Sequence, residues 1–162
     1  MAWKILAVPA AIVGSAVGQV FMQRFTCVWP NVQLARSLLF KTWKMLALMG
    51  VFPTVLILIL GEQLFTWVLG SNWLRAGEMA TVIAPIAFIM LISSPTSGIY
   101  LVLGLQKYSL FFGLSFFFYR SACVYFGLVS NNILYGLWAW FLFELSAIVI
   151  YNLIALRRMR MQ

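Results

Sequence analysis

The chain has 162 residues, 64% of them hydrophobic and only 9% charged, and its mean hydropathy is +1.01. A soluble domain needs roughly 25% charged residues to cover its surface, so this composition excludes a globule solvated by water. Eleven Lys and Arg stand against three acidic residues, all Glu, with no Asp and no His. That inventory predicts no metal, no cofactor and no enzyme, since neither a ligand cluster nor a carboxylate pair can be assembled from it. The net charge of +8 does not point to nucleic acid, because the basic residues sit at the ends of apolar runs, as the positive-inside bias predicts.

The expected fold class is therefore an all-α integral membrane protein with about five spans in one transmembrane domain over 1–162. Long apolar runs that contain Gly and Pro fit helices, whereas barrel strands alternate polar and apolar residues. The first span is expected over about 5–23 and carries Gly14 and Gly18 in GxxxG spacing, which permits close helix approach. Lys4, an apolar stretch and the small residues Gly14-Ser15-Ala16 also have the layout of a cleavable signal peptide. The stretch 24–44 holds Arg24, Arg36, Lys41 and Lys44 with no acidic residue, and Leu34, Leu38 and Leu39 share one helical face. It is expected to lie at the membrane surface as an interfacial helix.

The second span is expected over about 45–69, with a kink at Pro53, and ends in a turn at Gly70-Ser71-Asn72-Trp73. The third, about 79–104, is expected to be interrupted by Pro85 and by the small polar patch Ser93-Ser94-Pro95-Thr96-Ser97-Gly98. The fourth, about 108–128, is crowded with Phe and contains Arg120; its Phe111–Phe118 run is expected to face lipid and to pack. Ser130-Asn131-Asn132 forms the next turn, and the fifth span, about 133–156, contains Glu144.

Alternate loops place Arg24, Arg36, Lys41, Lys44, Lys107, Arg157, Arg158 and Arg160 on one side, eight of the eleven basic residues, against Lys4 and Arg75 on the other. The basic side is expected to be cytoplasmic, with the C-terminus inside and the N-terminus outside. That orientation forces Lys4 across the membrane, and an odd number of spans with a misplaced start suggests a missing upstream half. The chain is accordingly read as a fragment.

Two ionisable residues stand out. Arg120 and Glu144 each lie twelve residues from the basic-side end of their spans, about 18 Å deep at 1.5 Å per residue, and are expected to pair across neighbouring antiparallel helices. Insertion of a charged side chain at such depth costs roughly 2.5–3.5 kcal/mol, so it faces protein or a wet cavity. The pair has two readings: a lock between two helices, or a site in which Arg120 meets an anionic substrate with Glu144 as its counter-ion. Ser94 and Ser97 likewise read either as a small-residue packing surface or as a cavity wall offering hydroxyls.

Three stretches then carry a family likeness. Leu6-Ala7-Val8-Pro9 with Ile12-Val13-Gly14-Ser15-Ala16-Val17-Gly18-Gln19-Val20-Phe21, the turn Val68-Leu69-Gly70-Ser71-Asn72-Trp73-Leu74-Arg75-Ala76-Gly77, and Ser93-Ser94-Pro95 followed by Leu103-Gly104-Leu105-Gln106-Lys107 occur in the order and spacing of a known set. Together they resemble the bacterial O-antigen and exopolysaccharide repeat-unit flippases of the multidrug/oligosaccharidyl-lipid/polysaccharide exporter superfamily. The resemblance covers about residues 5–107 by motif and the last two spans by length and polarity. It implies most of the C-terminal lobe of a MATE-like, two-lobe transporter of the bacterial inner membrane, lacking that lobe's first helix, with the span at about 5–23 retained rather than cleaved. It also implies a lipid-linked substrate, an undecaprenyl-diphosphate-linked oligosaccharide moved between leaflets during polysaccharide or lipopolysaccharide assembly. The partners implied are the bilayer, that substrate, and either the missing N-terminal lobe or a second copy. A multidrug exporter of the same superfamily, and a non-transporting scaffold or inactive remnant, are the alternative functions.

Overall fold

Each of the four connections between helices is short, and the residues that fill it explain why the helices stop there. In the computed structural model, which describes residues 2–161, five helices run over α1 (Ala2–Val28), α2 (Val32–Leu69), α3 (Leu74–Val102), α4 (Gln106–Val129) and α5 (Ile133–Arg160). All five are long and apolar enough to cross a membrane. The first connection is Trp29-Pro30-Asn31; Asn31 then caps α2, its side chain accepting the Leu34 amide at 3.1 Å. The second passes through Gly70, whose φ of +97° suits a residue without Cβ, into a single 3-10 turn at Ser71–Trp73. The third ends α3 on Gly104 at φ +66°, with the Gly104 amide on the Leu101 carbonyl and the Leu105 amide on the Tyr100 carbonyl at 2.8 Å. This is the Schellman arrangement, and Leu105 packs back on the core beneath it. The fourth is Ser130-Asn131-Asn132, in which Asn132 caps α5 by accepting the Leu134 amide at 3.1 Å.

The expected interfacial segment at 24–44 is not a separate element. It is the end of α1, the Trp29–Asn31 turn and the first three turns of α2, which continues without a break to Leu69 as a helix of 38 residues. The reason lies in the face it buries. Ala35, Leu39, Thr42, Leu46 and Gly50 recur at helical spacing across the boundary expected near residue 45, so one small, apolar stripe packs inward on both sides of it. The prolines do not interrupt the helices either. Pro53 lies within α2, and Pro85 and Pro95 lie within an unbroken α3. Pro95 has no amide to give the Leu91 carbonyl, and the Ser94 hydroxyl donates to that carbonyl instead at 2.8 Å.

Helix α3 is the most buried of the five and packs against the other four, with α1 and α2 on it side by side and α5 carrying α4. Two apolar clusters form the interior, one toward each end. At the basic end Phe21, Phe25, Leu39, Ile99, Tyr100 and Met159 are buried together; at the other end Phe65, Val82, Ile83 and Leu137 are. The outer surface is apolar: Leu48, Phe52 and Ile59 on α2 and Phe117, Phe118 and Tyr125 on α4 are each more than half exposed. The phenylalanine run divides accordingly. Phe111, Phe117 and Phe118 point outward, whereas Phe112 packs edge-on against Tyr151 at 5.2 Å.

Candidate functional site

Helices α4 and α5 meet because two glycines let them. A Cβ on Gly136 would lie 2.9 Å from the Gly127 Cα and run into the Cys123 carbonyl oxygen, so nothing larger than glycine fits that crossing. Two turns from it, the helices bring together the two ionisable residues expected to pair. Arg120 Nη2 lies 2.5 Å from Glu144 Oε1 and its Nε donates to Oε2 at 3.1 Å. Tyr119 donates its hydroxyl to Oε2 at 2.5 Å, and the Trp140 indole donates to the same oxygen at 2.8 Å. Glu144 is wholly buried, while 30% of the Arg120 side chain is exposed. The guanidinium also sits over the rings of Phe116 and Trp140, at 5.3 and 5.7 Å. Four donors thus converge on one carboxylate whose charge a guanidinium balances, and Glu144 has no capacity left to bind a ligand.

Ser94 and Ser97 stand elsewhere, on the face of α3 turned toward α1. They border a groove of about 620 Å³ whose other wall is formed by Gly14, Ser15, Gly18, Gln19, Met22 and Gln23 of α1. The two glycines of the GxxxG spacing play different parts. A Cβ on Gly14 would stand 3.2 Å from Ser94, so this is where the helices touch, whereas nothing lies within 4 Å of Gly18, where the groove opens. Ser15, Gln19 and Gln23 follow one another at four-residue spacing and are exposed, as is Ser97. The hydroxyl protons of Ser94 and Ser97 are spent on the Leu91 and Ser94 carbonyls, leaving their lone pairs as acceptors; the amides of Gln19 and Gln23 make no side-chain hydrogen bond among the described residues. Gln19 lies nine residues before the end of α1, about 14 Å along the helix, so the polar groove occupies the basic half of the molecule.

Sequence reasoning passed over three groups. Tyr119 and Trp140 complete the shell around Glu144, and their signal was position: Tyr119 adjoins Arg120, and Trp140 precedes Glu144 by one helical turn. Gln19 and Gln23, one turn apart, form the amide wall. Asn152, the one Asn inside a span, accepts from Thr96 at 2.6 Å and donates to Ser93 at 3.1 Å, tying α5 to α3. Beside it the Tyr100 hydroxyl donates to the Tyr151 carbonyl at 2.7 Å, and the two rings stack at 4.1 Å. Ser93 and Thr96 are therefore packing residues, bonded to Asn152 of α5.

A scan against protein-family models, a search of curated proteins and a search of solved structures each returned no match for the chain. Fold and site define a multi-pass helical membrane protein with a buried ion pair between two helices and a neutral polar groove between two others.

Proposed function

We propose that the chain supplies part of a lipid-linked oligosaccharide flippase of the bacterial inner membrane, lying with its C-terminus in the cytoplasm. The observation that carries this reading is the groove between α1 and α3: hydroxyls, amides and glycines at membrane depth, with no charged residue in its lining. Amides and hydroxyl lone pairs exposed to hydrocarbon are unfavourable by several kcal/mol each on the order of transfer scales, so such a wall calls for a polar occupant or water. A chain of sugars offers a dense array of donors and acceptors and no cation. A cationic drug would call for a carboxylate or an aromatic cage, and the groove has neither. Eight basic residues on the side where the groove lies support the orientation. The motif likeness to repeat-unit flippases points to the same substrate class.

In this reading Ser94, Ser97, Gln19 and Gln23 face the glycan, and the Arg120–Glu144 pair clasps α4 to α5. The second lobe, or a second copy, closes the groove from the open side. The test has two parts. Single cysteines at Gln19 and Ser97, in a chain with Cys27 and Cys123 replaced, should react with a membrane-impermeant thiol reagent, and a groove closed to water would sink the proposal. Expressed with its complementary lobe in a flippase-deficient strain, the chain should restore surface polysaccharide, and Gln19→Leu with Ser97→Leu should abolish that rescue. Rescue unaffected by both changes would move the substrate elsewhere.

A further inference from the structure

Helices α1 and α2 both lean on α3 but touch each other little, and two cavities follow one another along the seam between them, together making a trench. Its first stretch, about 350 Å³, passes between Val13 and Pro53 over a floor that includes Leu91. Its second, about 420 Å³, passes Val17 and Val20 on one bank and Met45 on the other. The lining is apolar until the basic end, where it closes with Arg24 from α1 and Lys41 from α2, both exposed. Among the described residues no carboxylate answers these cations: Glu62 and Glu78 belong to the opposite ends of α2 and α3, and Glu144 is taken by Arg120. From Arg24 to Val13 the helix rises eleven residues, about 16 Å, close to half of a hydrocarbon core of roughly 30 Å.

We infer that this trench is a binding site for an anionic phospholipid of the basic-side leaflet. One acyl chain lies along Val20, Val17 and Val13, and the phosphate sits between Arg24 and Lys41. An apolar slot one leaflet long, ending in two uncompensated cations, matches that molecule in length, polarity and charge. Arg24 and Arg36 differ in this respect, because Arg36 does not border the trench, and it is the trench rather than the general basic surface that selects the lipid. The inference does not depend on the proposed transport role.

Native mass spectrometry of the full chain, extracted in mild detergent after reconstitution with mixed phosphatidylglycerol and phosphatidylcholine, tests it. Phosphatidylglycerol should be retained in preference to phosphatidylcholine. Retention should fall about tenfold in Arg24→Gln/Lys41→Gln and stay unchanged in Lys107→Gln/Arg160→Gln, which removes the same charge from the same side. Ala16→Phe, which fills the slot and leaves both cations in place, should also lose the lipid. Equal retention in the two charge variants, or full retention by Ala16→Phe, would reduce the effect to diffuse surface charge and overturn the site. Displacement by soluble glycerol phosphate would make it a headgroup site without a chain. Retention of a polyprenyl phosphate in place of phosphatidylglycerol, when both are supplied, would assign it to another lipid.

Discussion

A carboxylate sealed from water keeps its charge only while donors surround it, and Glu144 shows how many are needed. Arg120 supplies two hydrogen bonds and the balancing charge, and Tyr119 and Trp140 supply one each. Removing the guanidinium alone strands the carboxylate, which in buried pairs destabilises by about 3–5 kcal/mol, whereas removing both charges leaves neutral groups that can still bond. Arg120→Gln should therefore lower the unfolding temperature in detergent far more than Arg120→Gln with Glu144→Gln. A double variant no more stable than the single would mean that the arginine acts on something other than its partner. In transport, rescue by the double change would mark a clasp, and failure of rescue a substrate contact. Depth and opposite charge made this pair legible from spacing along the two spans. The rest of the shell was not, because Tyr and Trp are common in apolar spans and only the rotation of each helix decides whether they face a charge or lipid.

At the scale of helices, the contacts are set by where side chains are missing. A Cβ at Gly77 would come within 2.6 Å of the Glu62 backbone, and at Gly136 it would meet the Cys123 carbonyl, both backbone obstacles that cannot swing away. Gly136→Ala and Gly77→Ala should each destabilise by about 1–3 kcal/mol, measured by denaturant titration in mixed micelles. Gly18→Ala, which meets nothing, should stay within about 0.5 kcal/mol of the parent. Asn152→Leu should cost about 1 kcal/mol by the same measurement, since interhelical hydrogen bonds in membranes average roughly 0.6 kcal/mol and this side chain makes more than one to α3. Four of the five helices, and three of the four turns, could be located from apolar runs, Gly, Pro and Asn. The failure was at 24–44, where charge suggested the membrane surface while the buried stripe Ala35–Leu39–Thr42–Leu46 kept the helix going. A moderate density of Lys and Arg on the outer face does not end a helix whose inner face is still packed. The expected interruption of α3 failed for a related reason: at Pro95 the neighbouring Ser94 hydroxyl replaces what the missing amide takes away.

For the whole molecule, the proposed orientation rests on the charge asymmetry. The eight basic residues of one side should remain cytoplasmic, so a cysteine added after Arg160 should be protected from an impermeant reagent in intact cells and labelled in inverted vesicles; the reverse pattern would overturn the assignment. The asymmetry itself is legible in the sequence. What the sequence did not disclose is the rank of the helices, because α1, α2, α4 and α5 are about as apolar as α3. Helix α3 is the most buried of the five, and it alone packs against all the others. That position has a consequence for how the protein is made. Helices α1 and α2 leave the ribosome before the partner that each chiefly packs on, so in the nascent chain they wait side by side in lipid with their small-residue faces uncovered. Emergence of α3 gives both a seat at once, and α4, which rests mainly on α5, must wait for the last helix to arrive. A nascent chain stalled after Trp73 should therefore be cleared by membrane quality control, and one stalled after Leu105 should survive it, making the third helix the point at which synthesis becomes assembly.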